Sequence, residues 1–166
     1  MSKIKKEIED KLSPLLNAKW NCFGRAGNLL WSGFGKSVSI PDMKGNLRTV
    51  SEYALHVSCA WRLISENKIL VACMDYYIPR EGLTDDNFNW ELFGENRFDE
   101  KAILLSQDIN RSPIHVTDIQ VDNLGGFKLY FNSKYLLEVF PNDSLGEEYW
   151  RLISNKPPSE HFVVFG

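Results

Sequence analysis

Glu52-Tyr53-Ala54-Leu55-His56-Val57-Ser58-Cys59-Ala60-Trp61-Arg62-Leu63-Ile64 decides the fold of this 166-residue chain. Tyr53, Leu55, Val57, Cys59, Trp61 and Leu63 alternate with Glu52, Ala54, His56, Ser58, Ala60 and Arg62. A period of two sustained this long predicts a β-strand with one buried face. Ser65-Glu66-Asn67-Lys68 then predicts a tight turn into a second strand, Ile69–Tyr77. A two-residue loop at Glu66-Asn67 would set Ser58 opposite Asp75 and His56 opposite Tyr77, on the face away from Trp61 and Leu63.

Upstream, Ile4, Ile8, Leu12 and Leu15-Leu16 recur every three to four positions, which predicts an amphipathic helix over 3–16 that Pro14 kinks or shortens. Trp20–Phe23, Asn28–Phe34 and Val38–Ile40 read as short strands punctuated by glycines, with a turn at Asp42-Met43-Lys44-Gly45-Asn46. Downstream, residues 79–100 read as a long acidic loop with a helical turn at Trp90–Phe93. A second helix follows over Phe98–Gln107, started near Asn96. Strands are predicted at 114–121, 127–132, 135–140, 149–154 and 161–165. The fold class expected is α+β: a mainly antiparallel β meander or sandwich-like sheet with an N-terminal helix and one further helix, in a single domain over 1–166.

Trp61-Arg62-Leu63-Ile64-Ser65 recurs as Trp150-Arg151-Leu152-Ile153-Ser154. Each copy precedes a turn and an apolar strand, so the echo predicts two similar hairpins in one sheet system, each with a core tryptophan and a solvated arginine.

The charge balance excludes some classes. A net charge of -3 and a pI near 5.6 argue against a sequence-independent nucleic-acid binder. Apolar runs of about five residues fall far short of the roughly 20 needed to cross a bilayer. The start, Met1-Ser2-Lys3-Ile4-Lys5-Lys6-Glu7, does not read as a signal peptide. Cys22, Cys59 and Cys73, an odd number without close pairing, fit reduced, buried thiols in the cytoplasm.

Two near-motifs fail on their own residues. Gly33-Phe34-Gly35-Lys36-Ser37 ends like a phosphate loop, but position 30 is Leu30 and Val38-Ser39-Ile40-Pro41 cannot open a long helix. Asp85, Asn87 and Asn89 resemble the first donors of a calcium loop, but its glycine position holds Trp90 and its bidentate glutamate position holds Asn96. No cofactor and no metal is expected.

Two candidate sites remain. His56, Ser58 and Asp75 on one sheet face, with Arg25 or Arg62 as an anion clamp, are ingredients for a small-ligand binder or hydrolase. No nucleophile elbow accompanies Ser58, however, and strand amides are spent in the ladder rather than forming an oxyanion hole. The second candidate comes from the distribution of charge. Residues 1–50 carry nine bases and four acids, whereas residues 51–100 carry four bases and ten acids. The acidic loop, with Asp85, Asp86, Trp90, Glu91 and Glu95, is rich in aromatics (Phe88, Trp90, Phe93 and Phe98) that can anchor a partner, and it suits a basic protein surface.

Three stretches taken together resemble a family of small, uncharacterised bacterial cytoplasmic proteins. They are Gly24-Arg25-Ala26-Gly27-Asn28-Leu29-Leu30-Trp31-Ser32-Gly33-Phe34-Gly35; Tyr53-Ala54-Leu55-His56-Val57-Ser58-Cys59-Ala60-Trp61-Arg62; and Leu137-Glu138-Val139-Phe140-Pro141-Asn142-Asp143-Ser144 with Tyr149-Trp150-Arg151 and His161-Phe162-Val163-Val164. The resemblance implies a single-domain bacterial protein and carries no activity or catalytic residue. The leading expectation is a non-enzymatic binding protein, for instance an immunity-type protein that masks a toxin surface. The ligand binder or hydrolase is the alternative, and a homodimer joined through an exposed sheet edge is a third.

Overall fold

The computed structural model describes residues 3–166; Met1 and Ser2 of the charged start lie outside the described residues. Helix α1 spans Lys3–Leu12 and buries Ile8 and Leu12, after which Pro14 tightens the chain into a 3-10 turn over Ser13–Leu15. Strand β1 (Trp20–Ala26) turns at Gly27 into β2 (Leu29–Pro41), and the Asp42–Asn46 turn leads into β3 (Leu47–Val57). The glycines of β2 do not end it as expected. Gly35, at φ +86°, takes up an irregularity in the pairing with β3, and one long strand runs through.

At Ser58-Cys59 the predicted strand 52–64 breaks. β3 ends at Val57, and β4 (Ala60–Ser65) begins in a different sheet. The Ser58 and Cys59 amides both donate to the Tyr149 carbonyl, at 2.9 and 3.0 Å, and hold this corner. Alternation survives the break because the two sheets face each other across one core. Leu55 and Val57 enter that core from one side, Trp61 and Leu63 from the other.

The Glu66-Asn67 turn is a two-residue loop with positive φ at both positions, as a type I′ hairpin requires. Its outgoing strand is shorter than predicted. β5 (Lys68–Ala72) gives way to a 3-10 turn over Cys73–Tyr77, so Asp75 and Tyr77 are not in a ladder. Helix α2 (Arg97–Arg111) is capped by Asn96, whose side chain accepts from the Asp99 amide at 2.8 Å. Strands β6 (Val116–Val121), β7 (Phe127–Phe131), β8 (Tyr135–Phe140), β9 (Glu148–Ser154) and β10 (Glu160–Phe165) complete the chain.

Among the described residues the strands form two antiparallel five-stranded sheets, ordered β1-β2-β3-β9-β10 and β5-β4-β8-β7-β6. A sandwich leaves its sides open, and the helices close them. α2 packs Phe98, Ala102, Leu105 and Ile109 between β1 and β5. α1 lies on β6 and reaches β10 through a Lys11–Glu160 ion pair. α2 thereby shelters the β1 and β5 edges, and α1 the β6 edge.

The repeated word occupies the same place in both sheets rather than one. Trp61 on β4 and Trp150 on β9 point into the core, and each strand forms an edge hairpin with the next. Arg62 and Arg151 point outward, to Glu138 and Glu148 respectively. No helix of the described residues is long and apolar enough to cross a membrane.

Candidate functional site

The five residues proposed for a small-ligand site separate into five environments. His56 lies on the outer face of the first sheet, between Trp31 of β2 and Arg151 of β9. Ser58 is exposed at the corner between the sheets. Asp75 closes its own 3-10 turn by accepting from the Ala72 amide at 2.8 Å, and it pairs with Arg97 at 3.5 Å. Arg25 is buried against Asp99. Arg62 belongs to an outer-face row of the second sheet with Glu138 and Lys128. Burial would raise the Glu138 pKa, but Lys128 and Arg62 outweigh it and hold that carboxyl low. A serine nucleophile with its base and acid is not assembled. The Ser58–Asp75 pairing failed because it required β5 to continue past Ala72.

The phosphate-loop remnant does hold an anionic oxygen, but the chain's own. The Lys36 amide donates to Glu52 Oε2 at 3.1 Å. A Cβ on Gly35 would stand 2.8 Å from the same oxygen. Lys156 completes the arrangement and, ahead of the opposing effect of burial, holds the Glu52 carboxyl below its usual range. The calcium-loop donors are likewise committed to local turns: Asn87 accepts from Thr84, and Asn89 accepts from Glu91.

The acidic loop is a closed excursion with a rigid base. Its stems pair where Arg80 donates to Glu95 at 2.8 Å and Arg97 donates to Ile78 at 2.8 Å. From there three buried or half-buried side chains shape the apex. Asp99, on the first turn of α2, receives Arg25 through both carboxylate oxygens and also accepts from the Gly94 amide at 2.8 Å. Arg25 additionally donates to the Leu92 carbonyl at 3.3 Å. Asn96 donates to the Trp90 carbonyl at 3.1 Å. Gly94, at φ +89°, supplies the left-handed turn that lets its amide reach Asp99.

This framework divides the loop's side chains. Phe98 is swallowed by the core, and Trp90 is half-buried against Tyr77 with ring centroids 5.0 Å apart. Glu95 turns inward to accept from the Asn89 amide. Leu92 and Phe93 stand out at 52% and 79% exposure. Around them Asp85, Asp86 and Glu91 are exposed, as is Glu81. Arg97 is partnered by Asp75, Arg25 is enclosed, and Arg80 lies exposed at the loop's stem, away from the apex residues Leu92 and Phe93 in sequence. The loop's accessible character is therefore acidic around an apolar apex.

Of the five residues proposed for partner binding, three are on this surface and two, Trp90 and Glu95, support it. Of the loop's four aromatics, Phe88, Trp90, Phe93 and Phe98, the structure leaves Phe93 largely in solvent; Leu92 beside it was missed as an anchor, although an apolar pair before a glycine in an acidic stretch is visible in the sequence. The Arg25–Asp99 link has no such signature at a separation of 74 residues.

No protein-family model matches the chain, and neither a curated protein nor a solved structure is significantly similar to it.

Proposed function

We propose that this protein is a non-enzymatic binding protein whose 81–95 loop docks on a basic protein surface. Phe93 and Leu92 act as apolar anchors, and Glu81, Asp85, Asp86 and Glu91 supply the charged rim. The observation that carries the reading is Phe93, a large aromatic left in solvent by a loop whose backbone is tied down on both sides of it. Ordering a loop on binding costs free energy, so an anchor held in place beforehand retains more of its contact energy. Aromatic anchors dominate interfaces, and acidic rims speed encounter with basic partners. A cytoplasmic immunity-type protein that covers the active surface of a toxin is the concrete form of this reading.

A photo-crosslinking amino acid at position 93 should capture a basic protein in cells. Phe93→Ser should weaken that purified partner's affinity by about 30-fold or more, the loss expected of a hot spot, and added salt should slow association. Growth rescue on co-expression with a toxic partner would support the immunity form. Capture of nothing, or a partner indifferent to Phe93→Ser, overturns the reading.

A further inference from the structure

A second cleft lies at the opposite end of β1 from the loop. Arg25, near the end of that strand, meets the loop, whereas Lys19 precedes its start, about 20 Å away for a strand of that length. There a cleft of about 740 Å³ opens beside the irregularity of β2 at Gly35. Hydrogen bonds fix how its basic residues are gathered. The Gly35 amide donates to the Lys19 carbonyl at 2.8 Å. Covalent geometry then keeps the Lys19 and Lys36 Cα atoms within about 11 Å, and each lysine stem reaches about 6 Å. His115 is the cross-strand partner of Lys19 in an isolated bridge, which puts both side chains on one face. Lys156 and the Lys36 amide hold the two oxygens of the Glu52 carboxylate, one each. Basic residues from four separate segments thus line one cavity.

Charge on the lining is one-sided. Among the described residues Glu52 is its one carboxylate, set against the ammonium groups of Lys19, Lys36 and Lys156, so at least two positive charges are left over. Glu52 is already spent: Lys156 is the first cause that holds its carboxyl low, and the Lys36 ammonium is the last. Among the described residues no carboxylate lies within 4.0 Å of the Lys19 or Lys36 ammonium. Asp10 and Glu160 belong to an adjoining cleft beyond Pro14 and Tyr53, where Lys11 pairs with Glu160. No arginine lines the cavity among the described residues, so the planar fork that matches a carboxylate is missing. Ammonium point charges that arrive from different strands suit the several oxygens of a phosphate.

We infer that this cleft binds a small soluble molecule carrying a phosphate dianion or a diphosphate, its oxygens shared between the Lys19 and Lys36 ammonium groups. The excess of two positive charges selects an anion of at least that charge. The volume exceeds what a bare phosphate fills and leaves room for an organic body beside Leu16 and Tyr53. Lys36 of the phosphate-loop remnant thus serves a phosphate through its side chain, since its amide is taken by Glu52. The site shares no residue with the loop surface, so either can fail without the other.

The probe is inorganic pyrophosphate, compared with citrate, a carboxylate of similar charge, at matched ionic strength. Pyrophosphate should bind with a Kd of about 1 mM or better in about 0.15 M salt, and citrate about fivefold more weakly. Amide-proton shifts in nuclear magnetic resonance should cluster at Lys19, Gly35, Lys36 and His115. Lys19→Gln and Lys36→Gln, both at exposed positions, should each weaken pyrophosphate by about fivefold, the worth of one charge at contact in water. Lys68→Gln, at an exposed position of the second sheet, should change it by less than about 1.5-fold. Glu52→Gln removes the negative charge of the lining and keeps an acceptor, and should tighten binding by about threefold or more. Citrate binding as tightly as pyrophosphate, Lys68→Gln matching Lys19→Gln, or no binding at about 10 mM overturns the inference. So does a folded Glu52→Gln variant that binds more weakly. Sedimentation with phosphatidate vesicles through Lys19 and Lys36 would place the phosphate on a lipid and overturn the soluble ligand.

Discussion

Arg25 and Asp99 form an enclosed two-pronged ion pair, with both N···O distances at 2.8 Å, that ties edge strand β1 to the first turn of α2. Their side chains are 5% and 1% exposed. The pair also shapes the 81–95 loop, because each partner spends a further hydrogen bond on the Leu92–Gly94 backbone.

Asp99→Asn should leave a buried guanidinium without a counter-charge and lower the unfolding free energy by about 3–5 kcal/mol. Arg25→Met with Asp99→Leu should recover most of that loss, since an apolar pair carries no desolvation cost. In both variants limited proteolysis should cut first within 88–95, where the backbone has lost its ties. A loss under about 1 kcal/mol in urea unfolding would mean that the pair does not organise this corner.

Trp61 and Tyr76 stack edge to face with ring centroids 5.9 Å apart, and among the described residues neither the indole N–H nor the phenol hydroxyl meets a partner in ordinary hydrogen-bond geometry. Burial accordingly pushes the Tyr76 phenol far above its usual range. Tyr76→Phe removes an orphaned hydroxyl without changing the ring, and should raise the denaturation midpoint by the equivalent of about 1 kcal/mol. A fall of that size would reveal a hydrogen bond that the hydroxyl does make.

His56 is held below its ordinary pKa of 6.5, first by burial and then by Arg151, with Glu148 opposing and His161 assisting. An unfolded chain takes up this proton near 6.5, whereas the folded one does so only at lower pH. Across that interval the unfolded state binds more protons, so stability falls as pH falls. The lowered carboxyls of Glu52, Glu138 and Glu148 act in the same direction at lower pH: their contribution is present above their ordinary value of 4.5 and is lost as they protonate in the folded state. His56→Gln should flatten the stability profile just below pH 6.5 and leave the Glu52 and Glu138 part unchanged, while Glu148 loses one of the charges that hold it low. An unaltered slope there would assign the transition to another group.

Gly35 and Gly27 both sit at positive φ, yet only Gly35 faces an obstacle. Gly27→Ala meets open space and should cost about 1 kcal/mol, the backbone penalty alone. Gly35→Ala would also drive a Cβ against Glu52 and disturb the carboxylate that the Lys36 amide holds, for a total of about 1–3 kcal/mol. Equal costs in thermal unfolding would show that the Glu52 contact yields freely.

Local signals in the sequence reported local structure well. The Asn96 cap, the Pro14 stop, the Glu66-Asn67 turn and the alternating strands after Val116 all depend on neighbours a few residues away, and all are where the spacing put them. The break at Ser58-Cys59 left no trace, because a strand that changes sheets across a shared core keeps the same side chains inward. The conversion of Cys73–Tyr77 from strand to 3-10 turn was hidden for a related reason. Asp75 reads as one more polar alternation until its carboxylate is seen capping the Ala72 amide. At the candidate surface the acidic rim was legible as composition. The exposure of Phe93 was not, since it depends on Arg25 and Asp99 meeting through tertiary packing.

The corner at Ser58-Cys59 has a consequence for the order in which the molecule can be finished. The second sheet, β4 to β8, is one uninterrupted stretch of chain inserted between β3 and β9 of the first. On a ribosome, where the amino end emerges first, the inserted sheet has all its strands while β3 still presents an unpaired edge. That edge waits for β9, which seats Trp150 over Val57 and brings β10 with it. The last strands made are thus the ones that close the first sheet, and a nascent chain stalled before Glu148 would carry an open ladder beside a nearly complete partner.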